Sequence, residues 1–197
     1  MISPENQAIL HEVETRRLGL FMRASNELEG EIEPGEYGRA GNHRGVLWPT
    51  DIAAAQFFIN LPTEKMTGTN IRTLHRMLGA HITGAAWVGK YRKCDVHVGG
   101  YNPPGPHLVS KLMRRYWTRL TASQLTPWRA YAEFEAIHPF QDLNGRVGRL
   151  IWLNLFYKAK THYTISDGMQ LARQLHYDAL AHFEGEDFNK VYGDLLA

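Results

Sequence analysis

The sequence predicts a mostly α, single-domain chain: a helical bundle core carrying one small β-hairpin. Three observations predict it. Apolar residues recur at three- and four-residue steps along much of the 197-residue chain. Cap-then-proline pairs, Ser3-Pro4 and Thr126-Pro127, mark helix starts. Alternation with period two is confined to Val96-His97-Val98, directly before Gly99-Gly100.

The first helix is expected to open at Ser3-Pro4-Glu5, with an acid near its positive end. Leu10, Val13, Leu20, Ala24 and Leu28 form its apolar stripe, and Gly30 stops it. Glycines 35, 38, 41 and 45 make the next segment a loop. A second helix starts at Thr50-Asp51 and contains Ala53, Phe57 and Phe58. A third covers roughly Asn70–Ile82, with Ile71, Leu74, Leu78 and Ile82 on one side. The hairpin at Val96–Gly100 leads into the turn Asn102-Pro103-Pro104-Gly105. Helices then run from about His107 to Leu120 and from Thr126 past Trp128, Tyr131 and Phe134 to Ile137, where Pro139 ends the second. Val147–Tyr157 reads as a buried helix, Ser166–Phe183 as another, and a short one closes the chain. Residues 1–30 form an N-terminal helix packed on the main domain, residues 31–197. Trp48, Trp87, Trp117, Trp128 and Trp152 are most simply core residues.

Composition narrows the function classes. A hydrophobic content of 44% with 21% charged residues is that of a soluble globule. The net charge of +2 and the absence of any block of like charge argue against a nucleic-acid partner. Cys94 is the single cysteine, so no disulfide within the chain and no cysteine-based zinc site are expected. Apolar runs at 52–59 and 150–157 are shorter than the ~18 residues of a membrane span. The start of the chain lacks the pattern of a signal peptide. A cytoplasmic location, with no membrane partner, is the expectation.

The chemistry lies in His138-Pro139-Phe140-Gln141-Asp142-Leu143-Asn144-Gly145-Arg146-Val147-Gly148-Arg149. Pro139 places His138 at a helix end, and Phe140 is the apolar anchor of the loop. Asn144-Gly145-Arg146 opens the next helix, where free N–H groups and the dipole favour an anion. Arg146 and Arg149 are three apart and lean over one face. Asp142 suits Mg²⁺, which prefers oxygen ligands. His138, with an ordinary pKa near ~6.5, suits proton abstraction from a hydroxyl. Each residue alone is compatible with a cap, a surface ion pair or a plain turn; the ordered set is what points to function.

This pattern resembles the Fic family signature, H-P-F-x-[D/E]-G-N-G-R-x-x-R. Phe134-Glu135-Ala136-Ile137 is similar to the family's approach to it, and Val96–Gly100 with the proline turn is similar to its flap. The resemblance, covering about Ile71 to Phe183, implies a Fic fold that transfers AMP from ATP to a Ser, Thr or Tyr hydroxyl of a target protein. It implies His138 as general base and Asp142 as the Mg²⁺ ligand. Asn144, Gly145 and Arg146 would lie around the α- and β-phosphates, with Arg149 at the γ-phosphate. His176-Tyr177 falls where the family often places aromatics near adenine. One position departs: Leu143 stands where glycine is expected. A left-handed backbone there would strain a leucine by ~1–2 kcal/mol. Either the loop takes an ordinary backbone or the anion site is reshaped. A related phosphotransferase branch carries alanine at that position but lysine in place of Gly145, which argues against protein phosphorylation.

Ser25 and Glu29, followed by Gly30, resemble the family's inhibitory pattern [S/T]-x-x-x-E-[G/N]. The resemblance implies that Glu29 pairs with Arg149 and blocks the γ-phosphate, since a carboxylate competes for the same guanidinium fork. Val96, His97, Val98, Gly99 and Gly100 are expected to dock an extended target segment by strand addition. Self-modification is a further expected possibility. Two other functions remain open: removal of AMP from a modified protein, with Glu29 activating water, and a catalytically weak module that binds nucleotide or protein because of Leu143.

Overall fold

The computed structural model describes residues 49–98, 101–158 and 188–196. Of the N-terminal stretch it describes Pro4, Gln7, Ala8, His11, Glu12, Thr15, Arg16, Leu18, Gly19, Phe21, Met22 and Ser25, all of them helical. Six helices follow among the described residues: α1 (Pro49–Ile59), α2 (Gly68–Leu78), α3 (Val109–Thr121), α4 (Pro127–Ile137), α5 (Asn144–Lys158) and α6 (Phe188–Leu196). The mostly helical expectation therefore holds. The expected helix over Ser166–Phe183, and with it His176 and Tyr177, lies outside the described residues.

The bundle centres on α5. It packs against α4, from which only a short loop separates it, and against α1 and α2, while α3 packs on α4 and α6. Phe58, Ile71, Leu74, Tyr116, Phe134, Phe140 and Ile151 are among the buried residues that fill the centre. In the N-terminal stretch the described buried face is Leu18, Phe21, Met22 and Ser25, at helical spacing. Leu10, Val13, Leu20, Ala24 and Leu28 lie outside the described residues. Gln56 donates to Thr15 Oγ1 at 3.0 Å, which ties this stretch to α1.

Helix ends follow the expected chemistry where a cap residue is present. Thr126 accepts the Arg129 N–H at 3.2 Å with Pro127 in the first turn. The buried Asn154 on α5 donates to the carbonyls of Phe58, Ile59 and Leu61, at 2.6, 3.2 and 3.0 Å. It thereby satisfies carbonyls that the end of α1 leaves without helical partners.

Three expectations need correction. The third expected helix ends at Leu78, not Ile82, because Gly79 takes the cap and the chain turns. Ile82 still packs against the core, but from the turn, so its phase misled the periodicity. The hairpin is reduced, among the described residues, to one antiparallel bridge, Val98 with Tyr101, with N···O distances of 3.0 and 2.9 Å. Pro103 and Pro104 follow at once and cannot donate ladder hydrogen bonds. Trp128 is 40% exposed. It sits in the first turn of α4 and covers Tyr131 from outside, ring centroids 5.7 Å apart, rather than entering the core.

Candidate active site

His138 closes α4 in a left-handed conformation (φ 48°, ψ 63°), its N–H bonded to the Phe134 carbonyl. Left-handed backbone is costly for any residue with a Cβ, and such strain concentrates at functional sites. The turn swings the imidazole out of the helix, leaving its side chain 15% exposed. Nδ1 lies 3.2 Å from the Glu135 carbonyl oxygen and 3.7 Å from the Glu135 carboxylate. This arrangement orients Nδ1 inward and offers a negative charge to the ring when it takes a proton.

The Glu135 carboxylate needs Gly148. A Cβ at Gly148 would collide with Glu135 Oε1 and meet the Tyr131 ring at 3.0 Å. The glycine between the two arginines of the loop is thus the seat of a carboxylate that faces His138.

Beyond His138, Phe140 is fully buried and anchors the loop. The Asn144 side chain accepts from the Phe140 N–H at 2.9 Å and donates to the Phe140 carbonyl at 3.0 Å. It therefore closes the loop on itself, with both ends of the Asn144 amide engaged by the Phe140 backbone. Asp142 is exposed, and one of its oxygens accepts the Leu143 N–H at 2.6 Å. Among the described residues no three His, Cys, Asp or Glu side chains cluster as a metal cage. A single exposed carboxylate could supply one oxygen ligand to Mg²⁺, which keeps several of its waters. Gly145 is half-buried, and Arg146 and Arg149 are buried on α5.

Leu143 has φ 65°. The loop keeps the backbone that glycine would take, so the expected alternative of an ordinary backbone at this position is overturned. The strain is offset by burial of the leucine side chain in the core. Leu143→Gly is therefore expected to lower stability, not raise it. Removing the buried side chain costs ~2–5 kcal/mol and strain relief returns only ~1–2, a net loss of about 0–4 kcal/mol in denaturant unfolding.

Arg149 meets the N-terminal stretch. Its Nε donates to Ser25 Oγ at 2.6 Å and its Nη2 to the Ser25 carbonyl at 3.0 Å. Ser25 is fully buried by this contact. Glu29 lies outside the described residues, as do Gly99 and Gly100 of the hairpin. Of the remaining hairpin residues, Val96 precedes the bridge, Val98 forms it with Tyr101, and His97 Nδ1 lies 2.6 Å from Asn102 Oδ1.

Two site residues escaped the sequence reading. His75 stacks on Phe140, ring centroids 3.9 Å apart. Its Nδ1 accepts the Gly89 N–H at 2.7 Å, so Nε2 carries the proton and donates to the Asp142 carbonyl at 3.1 Å. Burial holds this imidazole down, to about 4, against the raising effect of Asp142. It is a neutral prop under the loop. Its signal was its place on the buried face of α2, four residues after Ile71 and three before Leu78. The other is Arg92, a buried arginine whose side chain reaches the backbone of the same loop.

Residues 65–156 match the family model described as Fic/DOC family. Curated relatives named "Protein adenylyltransferase Fic" include those of Drosophila persimilis, 35% identical, and Drosophila grimshawi, 34% identical, each over 129 residues. Those alignments cover 62% of this chain and 25% and 26% of the relatives, so the chain spans about a quarter of their length. Among solved structures, a Fic family protein from Desulfovibrio desulfuricans G20 aligns with TM-score 0.65 at 19% identity, over 99% of this chain and 73% of that one. Fic-1 from C. elegans aligns with TM-score 0.52 at 14% identity, over 96% and 71%. The left-handed histidine, the looped asparagine and the paired arginines all fall inside the segment that matches the Fic/DOC family model.

Proposed function

We propose that the chain is a protein adenylyltransferase that moves AMP from ATP to a Ser, Thr or Tyr hydroxyl of a target protein. The observation that carries this reading is the strained loop itself. It sets His138, with its Nδ1 turned towards Glu135, at one end, and the start of α5 with Arg146 and Arg149 at the other. His138 takes the proton of the target hydroxyl. The oxygen attacks the α-phosphorus of ATP, the bond to the bridging oxygen breaks, and pyrophosphate leaves. Gly145 and the first N–H groups of α5, with Arg146, face the developing charge, so the protein supplies position and charge rather than a covalent intermediate. Asp142 would hold Mg²⁺, which when bound neutralises phosphate charge. The left-handed backbone kept at Leu143 favours this reading over a module that binds nucleotide without reacting.

The name of the curated relatives, protein adenylyltransferase Fic, supports the reaction. The Ser25–Arg149 contact supports a brake within the chain. Ser25 of the N-terminal stretch holds the guanidinium that would otherwise meet the γ-phosphate, and Glu29 follows four residues later in the sequence. Glu29→Gly is expected to raise label transfer by about 10- to 100-fold, the equivalent of a charge-assisted contact of ~1.5–3 kcal/mol. The test incubates wild type, Glu29→Gly and Glu29→Gly/His138→Ala with Mg²⁺, α-labelled ATP and host lysate. Label that appears with Glu29→Gly and vanishes with the double variant upholds transfer, base and brake together. No label in any lane, with ATP still bound, rejects transfer and redirects the search to AMP removal.

A further inference from the structure

The carbonyls of Ala136, Ile137, His138 and Pro139, four in succession, each receive a donor from the segment around the hairpin. Tyr101 Oη donates to Ala136 at 3.1 Å. Arg92 supplies the rest: Nη2 to Ile137 at 3.4 Å, Nε to His138 at 2.7 Å, and its backbone N–H to Pro139 at 2.9 Å. The same guanidinium donates outward to Cys94 at 3.1 Å and to Pro104. Cys94 and Pro104 stand on the two legs of the segment whose tip is the Val98–Tyr101 bridge. One side chain, only 3% exposed, therefore grips both legs of the hairpin and the end of α4.

A cation at a helix C-terminus is favourable on its own, because it meets unsatisfied carbonyls and the negative end of the dipole. Capping explains the bonds to Ile137 and His138. It does not explain the bonds to both hairpin legs, nor the choice of a residue whose planar fork addresses several acceptors at once. Burial pushes the Arg92 pKa down from its ordinary value, and Asp95 opposes that shift.

We propose that Arg92 is a positioning residue for the transfer reaction: it fixes the register of the hairpin tip against the backbone of His138. A target strand paired on the tip then carries its hydroxyl to the imidazole. The inference rests on the adenylyl-transfer reading. It adds that target geometry is set from behind the histidine, by backbone contacts, rather than by side chains that recognise the target.

The test uses the full chain in the Glu29→Gly background and compares Arg92 with Arg92→Lys. Lysine keeps the charge and most of the stem but loses the fork. Three quantities are read: label transferred from α-labelled ATP into lysate proteins, affinity for Mg²⁺-ATP, and hydrogen exchange at the Val98 and Tyr101 amides. Transfer is expected to fall by about 10- to 100-fold, the scale of a small misplacement of reacting groups, with nucleotide affinity within about twofold. The Val98 and Tyr101 amides are expected to exchange faster while those of α3 do not change. Retained transfer overturns the proposal, and so does a parallel loss of transfer, nucleotide affinity and α3 protection, which marks a merely structural arginine. If the chain with Arg92 intact transfers no label, the adenylyl-transfer reading fails by itself. Exchange then decides for Arg92: hairpin amides unchanged in Arg92→Lys overturn the anchoring, and selectively faster ones uphold it.

Discussion

His138→Asn in the Glu29→Gly background is expected to abolish label transfer, a loss of about 10²–10⁴-fold, while the melting temperature stays close to that of the parent. The choice of asparagine follows from the backbone. His138 holds φ 48°, and asparagine tolerates the left-handed region better than other non-glycine residues, so the turn that ends α4 is kept. Phe134 still receives the N–H and Arg92 still reaches the carbonyl, since both bonds are to main-chain atoms. What is removed is the titrating ring near Glu135 and nothing the core depends on, because the side chain is partly exposed. Transfer assayed with α-labelled ATP, beside nucleotide affinity and a thermal melt, checks it. Transfer retained within a few-fold would mean that the hydroxyl loses its proton elsewhere and that His138 is a helix cap only.

How much of this was legible in the sequence depends on the range of the interaction. Helices α3, α4 and α5 announce themselves because their signals are local: Thr126-Pro127, an apolar stripe, a proline stop. The loop from His138 to Arg149 is equally local, so its residues could be named before any fold was known. Non-local contacts were not legible. Asn154 looks like a polar interruption of a buried helix until α1 ends above it. His75 looks like a core position with the wrong side chain until the Asp142 carbonyl arrives from 67 residues away. Gly148 looks like a helix weakness until Glu135 fills its missing Cβ. Leu143 is the reverse case. The sequence raises the correct physical conflict, a leucine where the backbone should be left-handed. Only packing decides it, because the buried side chain offsets the strain.

The largest stability effect is expected from Glu133→Ala. The Glu133 carboxylate is fully buried on α4 and is satisfied from three directions. Arg119 of α3 donates to both oxygens at 2.6 and 2.7 Å, Arg129 at 3.0 Å, and the Tyr192 hydroxyl of α6 at 2.8 Å. Burial, and then the adjacent Glu133 charge, hold the Tyr192 phenol far above its ordinary range, so it remains a donor at any accessible pH. Deleting the carboxylate strands the buried hydroxyl and leaves Arg119 and Arg129 facing each other. Breaking such a group typically costs ~3–5 kcal/mol, equivalent to a fall of roughly 10 °C in melting temperature for a chain of this size. The two arginines are partly exposed and regain some hydration, which places the expectation at the lower end of that range. Tyr192→Phe removes one donor and leaves the ion pairs, so about 1 kcal/mol is expected there. Activity should separate from stability. The Glu133 carboxylate is engaged by Arg119 of α3, Arg129 and Tyr192 of α6, on the side of α4 that meets those helices. Well below its melting temperature, Glu133→Ala in the Glu29→Gly background should transfer label at close to the parental rate. A selective loss of transfer without a loss of stability would show that the buried network sets the pitch of α4 at the active site, not merely its attachment to α3 and α6.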